Sequence, residues 1–307
     1  MSLSVVTIQA DQRQSLTGFA LAFMAATFFS IKAIFVKLAY RYGVDAVTLL
    51  ALRMLFSLPF FVVIALIEER KPGKAELHRR HVAAIVGLGL VGYYLASLFD
   101  FVGLQYVSAG LERLILFLFP TFTVLLSVLF LGYRISRVEI LALLLSYGGI
   151  ALAVQQEVAL GGAHTLFGSL MIFGSTLAFS TYLVGSGEMI PRIGARRFMA
   201  YAMLVSCLAV IVQFFFTHDI AVLRQPLPVY LYGFLMATVS TVLPSFMLAG
   251  AIHRIGASHT SIIGGIGPVM TIILAALFLG ERMSPVQIAG GVLVIAGALS
   301  IGFFRSR

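Results

Sequence analysis

Apolar residues fill this chain in runs of about 20, the length a helix needs to cross a bilayer core, and most charged residues fall in short stretches between them. The runs predict ten transmembrane helices, at residues 16–39, 45–67, 82–105, 109–131, 136–155, 166–187, 198–217, 229–251, 258–279 and 286–303. The longest polar interval is Glu68 to His81, too short for a soluble domain. The pattern also repeats. Val107 to Val154 aligns without a gap to Ile255 to Gly302, with 15 of 48 positions identical. The matches include Pro120 with Pro268, Leu129-Phe130-Leu131-Gly132 with Leu277-Phe278-Leu279-Gly280, Arg134 with Arg282, Ser136 with Ser284 and Gly149 with Gly297. An offset of 150 adds Gly18 with Gly168 and Phe29-Ser30 with Phe179-Ser180. The chain therefore reads as a duplication, residues 1–156 and 157–307. Five helices per copy is an odd number, so the second copy enters from the opposite side. The expectation is an all-α integral membrane protein, ten transmembrane helices forming two inverted five-helix repeats around a central cavity.

Composition strengthens this picture. Of 307 residues, 60% are hydrophobic and 11% charged, and the mean hydropathy is +1.04. A net charge of +9 would suggest nucleic acid in a soluble protein. Here the basic residues sit in the turns, so membrane topology accounts for them. With the N-terminus in the cytoplasm, 14 Lys and Arg fall on the cytoplasmic side and three, Arg41, Arg224 and Arg282, outside. The positive-inside rule thus puts both termini in the cytoplasm. No signal peptide is expected, because the first run is longer than a signal core and no small-residue cleavage site follows it. The single Cys207 lies in an apolar run, which excludes a disulfide framework and reads as packing.

The duplicated unit, an apolar helix with an internal proline that ends in Leu-Phe-Leu-Gly-Glu (Leu277 to Glu281), then Ser284 and a Gly-rich final helix, resembles the EamA unit of the drug/metabolite transporter superfamily. The resemblance covers nearly the whole chain. Tyr133 stands where the first copy would carry the Glu, which suggests that this carboxylate caps a helix end and is not a coupling site common to both halves. The aromatic content of the first half is most similar to the aromatic amino acid exporter branch (the YddG type). That resemblance implies export of small amphipathic solutes, most of all aromatic amino acids, across the bacterial inner membrane by alternating access. Drug or organic-cation export is the alternative within the superfamily. The partners expected are a small-molecule substrate and membrane lipid, the protein acting as a monomer without nucleic acid, metal or cofactor.

Charge within a bilayer costs at least about 2.5 to 3.5 kcal/mol per residue at a helix centre, so each intramembrane charge is a functional candidate. Asp100 and Glu112 are the acidic residues well within predicted spans, and Lys32, Lys37, Arg53 and Arg113 are the basic ones. Across the turn near Val107, Asp100 and Arg113 come to similar depth, which predicts a buried pair in preference to a proton relay. Lys32 and Arg53 share a level, about 15 Å from the outer surface at 1.5 Å per residue. Together the five form a polar group whose charges, +3 and −2, sum to +1. It has no equivalent in the second copy, where Tyr182 matches Lys32 and Thr260 and Ser261 match Glu112 and Arg113. Two readings stay open: a cation that receives a substrate carboxylate, or a structural lock on the outer gate. Lys37 is close enough to the interface to snorkel.

Tyr93, Tyr94, Phe99 and Tyr182 are candidates to stack on an aromatic substrate. Ser180, Thr181 and Ser245 are candidates to bond its polar end, or else to join helices. Tyr40, Tyr42, Tyr133, Tyr230 and Tyr232 read as interfacial anchors. Pro120 and Pro268 predict kinks at matched positions. With Pro244 and the run Gly264-Gly265-Ile266-Gly267 they predict hinges, the third and fourth helices gating one half and the eighth and ninth the other. An intramembrane enzyme is the rival class. Against it, the spans carry no H-E-x-x-H, G-x-S-G, H-x-x-x-x-D or Walker pattern, and His259 stands alone. A channel is disfavoured because no filter-like ring of residues repeats.

Overall fold

The computed structural model describes residues 2–73, 75–132 and 135–305. Side chains of 2–15 and 301–305, and those at 131, 138, 160, 249, 252–253, 256–259, 261–262 and 298, lie outside the description, as do Tyr133 and Arg134 entirely. Among the described residues the chain is all-α, without strands. In chain order the helices are α1 (Ser2–Tyr40), α2 (Ala46–Glu69), α3 (Arg79–Gly89), α4 (Ala96–Gly103), α5 (Ala109–Leu116), α6 (Phe119–Leu131), α7 (Arg137–Ile193), α8 (Ala195–Thr217), α9 (Leu227–Ala237), α10 (Leu243–Gly264), α11 (Gly267–Leu279) and α12 (Pro285–Arg305). Among the described residues, eight helical stretches are long and apolar enough to span a bilayer, and Gly267–Leu279 and Pro285–Gly297 are apolar but shorter.

Local chemistry sets the helix ends, and it does so twice. Asp45 caps α2, its Oδ1 accepting from the Val47 and Thr48 amides at 2.9 Å. Ser136 and Glu139 form a capping box on α7, the Ser136 amide donating to Glu139 Oε2 at 2.8 Å. Ser284 and Gln287 do the same for α12, the Ser284 amide donating to Gln287 Oε1 at 2.8 Å. Gly132 and Gly280 end α6 and α11 with φ of 65° and 71°, a left-handed backbone that glycine adopts without steric penalty. The matched residues of the repeat are thus largely helix punctuation. The matched Leu129-Phe130 and Leu277-Phe278 lie outward, Leu129 being 72% and Leu277 73% exposed, as lipid-facing side chains would be.

Within α7 two spans, Glu139–Ala159 and Gly161–Ile193, divide at a kink at Gly162, where φ is 66°. One predicted boundary differs: the backbone of α10 is helical through the predicted eighth turn. The prolines also do more than kink: α5 stops at Leu116 and α6 restarts at Phe119 with Pro120 in its first turn, and α11 restarts at Gly267 with Pro268 in its first turn. Proline is tolerated there because a first-turn amide has no partner in its own helix.

The two copies exchange contacts. A Cβ on Gly18 of α1 would lie 2.5 Å from Ile255 Cγ2, and one on the matching Gly168 of α7 would lie 2.7 Å from Tyr106 Cβ. Ser30 Oγ donates to the Gly267 carbonyl at 2.9 Å, and the matching Ser180 Oγ to the Phe119 carbonyl at 3.2 Å. Between α7 and α12, Cβ atoms on Gly149 and Gly290 would each lie 2.4 Å from the other's carbonyl oxygen, while one on Gly297 would lie 2.5 Å from that of Ala142. Such close packing of small residues holds helices together where lipid supplies no hydrophobic drive between them.

A buried charge group beside two interrupted helices

The group is assembled from α1, α2, α4 and α5. Lys32 Nζ donates to Asp100 Oδ2 and, at 3.1 Å, to Glu112 Oε1. Asp100 is 3% exposed and Glu112 fully buried. The partner of Asp100 is therefore Lys32; the expected Asp100 to Arg113 bond is not formed. Lys32 extends from α1 and brings its ammonium to both carboxylates, whereas Arg113 turns toward α11. A Cβ on Gly267 would lie 2.9 Å from Arg113 Nη2, so glycine there makes room for the guanidinium. Gly267 lacks the positive φ that only glycine tolerates well, as do Gly264 and Gly265. Arg53, 8% exposed, donates from Nε and Nη2 to Thr241 Oγ1 at 3.3 and 3.2 Å, and its Cζ lies 5.5 Å from the Phe101 ring centroid. Tyr40, at the end of α1, donates its hydroxyl to the Phe101 carbonyl at 2.6 Å.

Each half carries a second backbone device that the residue pattern did not reveal. Leu90–Leu95 is π-helical between α3 and α4, and Thr238–Val242 between α9 and α10. The 148-residue offset of the repeat carries Leu90 onto Thr238. A π-turn holds one extra residue, widens the helix and displaces a carbonyl, and such turns recur at functional sites. Thr241 answers one of these carbonyls by donating to Met236 O, five residues back, at 2.9 Å, while accepting from Arg53. The two stretches share only Val91 with Val239 and Leu95 with Leu243, so nothing in the sequence signals the turn.

The aromatic candidates divide. Tyr93 meets Tyr182 edge-on at 4.7 Å, and Tyr182 stacks on Phe198 at 5.6 Å and Phe179 at 6.0 Å. Phe99 packs where a Cβ on Gly174 would lie 2.9 Å from its ring, on the α4–α7 seam. Tyr94 lies instead against the α1–α2 core, so Tyr94, Phe99 and Tyr182 are not gathered round one space. The hydroxyls are spoken for: Ser180 also bonds Thr176 O at 2.8 Å, Thr181 bonds Leu177 O at 3.0 Å and Ser245 bonds Thr241 O at 2.6 Å.

Past the charge group, toward the α1–α2 turn, two carboxylates hold the start of α5. Glu157 accepts from the Ser108 amide and hydroxyl at 2.6 and 2.8 Å and from Gln287 Nε2 at 3.0 Å. Glu281 accepts from the Ala109 amide at 2.9 Å. Burial pushes the Glu281 carboxyl above its ordinary range, against the attraction of Lys37. Negative charge at a helix N-terminus is favourable, which gives the Glu of Leu-Phe-Leu-Gly-Glu the capping role its absence from the first copy implied. At the opposite end Arg197 pairs with Glu69 at 2.6 Å beside a cavity of about 320 Å³ lined by Glu68, Lys71 and Arg192.

Comparison with known proteins adds the family. A model of the EamA-like transporter family matches twice, at residues 16–155 and 166–303. An uncharacterized transporter, YcbK, of Bacillus subtilis (strain 168) is 30% identical over 92% of this chain and 91% of its own. A probable terminal-alkyne amino-acid exporter of Streptantibioticus cattleyicolor is 26% identical over 65% of this chain and 66% of its own. A crystal structure of a protein matches with a TM-score of 0.64 at 16% identity, over 96% of this chain and 98% of that one, which speaks to the fold.

Proposed function

This chain belongs to the EamA-like transporter family, and we propose that it is a secondary transporter that exports small amphipathic solutes, aromatic amino acids first among them, across a bacterial inner membrane. In this reading ten helices form two inverted halves that work by alternating access, in a monomer with both termini in the cytoplasm. The observation that carries it is the pairing of interruptions: a π-turn and a proline-led restart recur at matched positions in both halves, beside a buried charge group. Helices that already lack bonds at two matched levels bend there most readily, as two gates around one site require. The exchanged contacts of Ser30 with Gly267 and Ser180 with Phe119 support inversion. The substrate class is supported by the charges and by the amino-acid exporter among the relatives. Arg53 and Arg113 have no carboxylate bonded to them among the described residues, so a substrate carboxylate can be received there.

Counterflow tests this. Liposomes holding the purified protein and loaded with unlabelled L-phenylalanine should transiently accumulate labelled L-phenylalanine, with L-alanine competing weakly. Accumulation driven instead by an organic cation would move the substrate to the drug-exporting side of the superfamily. No exchange with any of these solutes would sink the reading.

A further inference from the structure

We propose that Asp100 and Glu112 together hold one exchangeable proton, making this carboxyl pair the coupling site through which a proton gradient drives transport. The inference rests on the transporter reading above and deepens it. Its ground is geometric. Each carboxyl spends one oxygen on Lys32, Asp100 through Oδ2 and Glu112 through Oε1. Among the described residues the other oxygens, Asp100 Oδ1 and Glu112 Oε2, have no hydrogen-bond partner although both are buried. The two carboxyls meet at the same Lys32 ammonium, which sets them side by side. Two carboxylates this close cannot both ionise at ordinary cost, and a proton placed between them satisfies both free oxygens.

Among the described residues, every charge that faces the pair can be named. Lys32 comes from α1, with Lys37 and Tyr40 farther along the same helix; Arg53 from α2; and Arg113 from α5 itself, its Nε also unpartnered among the described residues. From α11 the nearest contributions are the Gly267 backbone and the Thr271 hydroxyl, neither of which titrates. With the pair fully ionised, Lys32 ties α1 to both α4 and α5. A proton taken from water on one side neutralises one carboxyl and cuts the tie to a single ion pair, freeing the start of α5, whose other end is already separated from α6. The proton returns to water on the other side when the pair ionises again. Lys32 then alternates between locking and releasing α5 within the first half.

The proton site is read without substrate by infrared difference spectra of the full chain in liposomes, acid minus alkaline. The wild type should show a carboxylic-acid C=O band that both Glu112→Gln and Asp100→Asn abolish, since each leaves a single carboxyl beside Lys32. Lys32→Met should move the same band to higher pH, an opposite change that an unfolded protein would not give. A band that survives either amide substitution, or one absent from the wild type, overturns the site whatever flux shows. In liposomes that exchange L-phenylalanine, one-for-one coupling should let a pH difference of one unit sustain about a tenfold gradient of the amino acid. A wild-type gradient that stays at one despite counterflow overturns coupling and leaves the transporter reading intact. Missing counterflow with the infrared band present overturns L-phenylalanine transport and leaves the proton site.

Discussion

The two halves share their backbone and differ in their chemistry. Each has a π-turn, a proline-led helix restart, a glycine C-cap and a serine capping box at matched positions. The first half sets Lys32, Asp100, Glu112 and Arg113 among these features. The second sets Tyr182, Leu248, Thr260 and Ser261 at the corresponding places. Motion requires both halves to have weak points, whereas a binding or coupling site is needed once. Duplication accordingly preserved the places where helices start, stop and bend, and left the charges to one copy.

Cutting the charges should expose the difference most strongly. Lys32→Met leaves two buried carboxylates without their cation and should lower stability by about 3 to 5 kcal/mol, the usual effect of breaking a buried pair. Tyr182→Phe at the matching position loses one hydroxyl and should cost only about 0.5 to 1.5 kcal/mol. Denaturant titration of both variants in detergent compares them, and equal losses would erase the contrast.

The π-turns offer the next effect. Thr241→Val removes the acceptor of the buried Arg53 and should cost about 1.5 to 3 kcal/mol, as loss of a hydrogen bond to a charged group does. Tyr93→Phe, at the matched position in the first half, should cost less in the same assay. A silent Thr241→Val would show that Arg53 is satisfied elsewhere.

Glycine substitutions separate close packing from hinge freedom. Gly267→Ala sets a Cβ against Arg113 Nη2 and should cost about 1 to 3 kcal/mol by overpacking. Gly264→Ala meets nothing within 4 Å and should stay within about 0.5 kcal/mol. If Gly264→Ala slows flux without changing stability, its glycine serves motion; if flux is unchanged, the bend does not need it.

The smallest effect is one of pH. Because burial raises the Glu281 carboxyl, its contribution is fully present below the ordinary carboxylate range and is lost as pH rises through the elevated value. Melting temperature should therefore fall slightly over that rise, and Glu281→Gln should flatten the slope.

Much of this was legible because bilayers and helix ends leave strong marks. Apolar runs, Gly132 with Gly280, Ser136 with Ser284 and Pro120 with Pro268 mark the unit and its repetition, and scarcity together with depth singled out the five charged residues. Which of them bond was not legible. Counting residues from a turn gives depth along a helix but not rotation about it, so Asp100 was matched to Arg113 when Lys32 held the nearer face. The π-turns depend on backbone bonds rather than on residue type, and Thr241 gained its role only through one. Phe99 and Tyr182 share the apolar, aromatic signature of both cavity lining and packing, and residue type alone did not reveal their contacts with Gly174 and Phe198.

The central claim is that transport chemistry resides in the charge group of the first half. L-phenylalanine counterflow through liposomes holding equal amounts of folded wild type, Lys32→Met and Met203→Leu tests it most directly, Met203 being the 150-offset match of Arg53. The account predicts exchange by wild type and Met203→Leu and a loss of at least about tenfold, 1.4 kcal/mol of barrier, in Lys32→Met. Lys32→Met exchanging as fast as the wild type would contradict it.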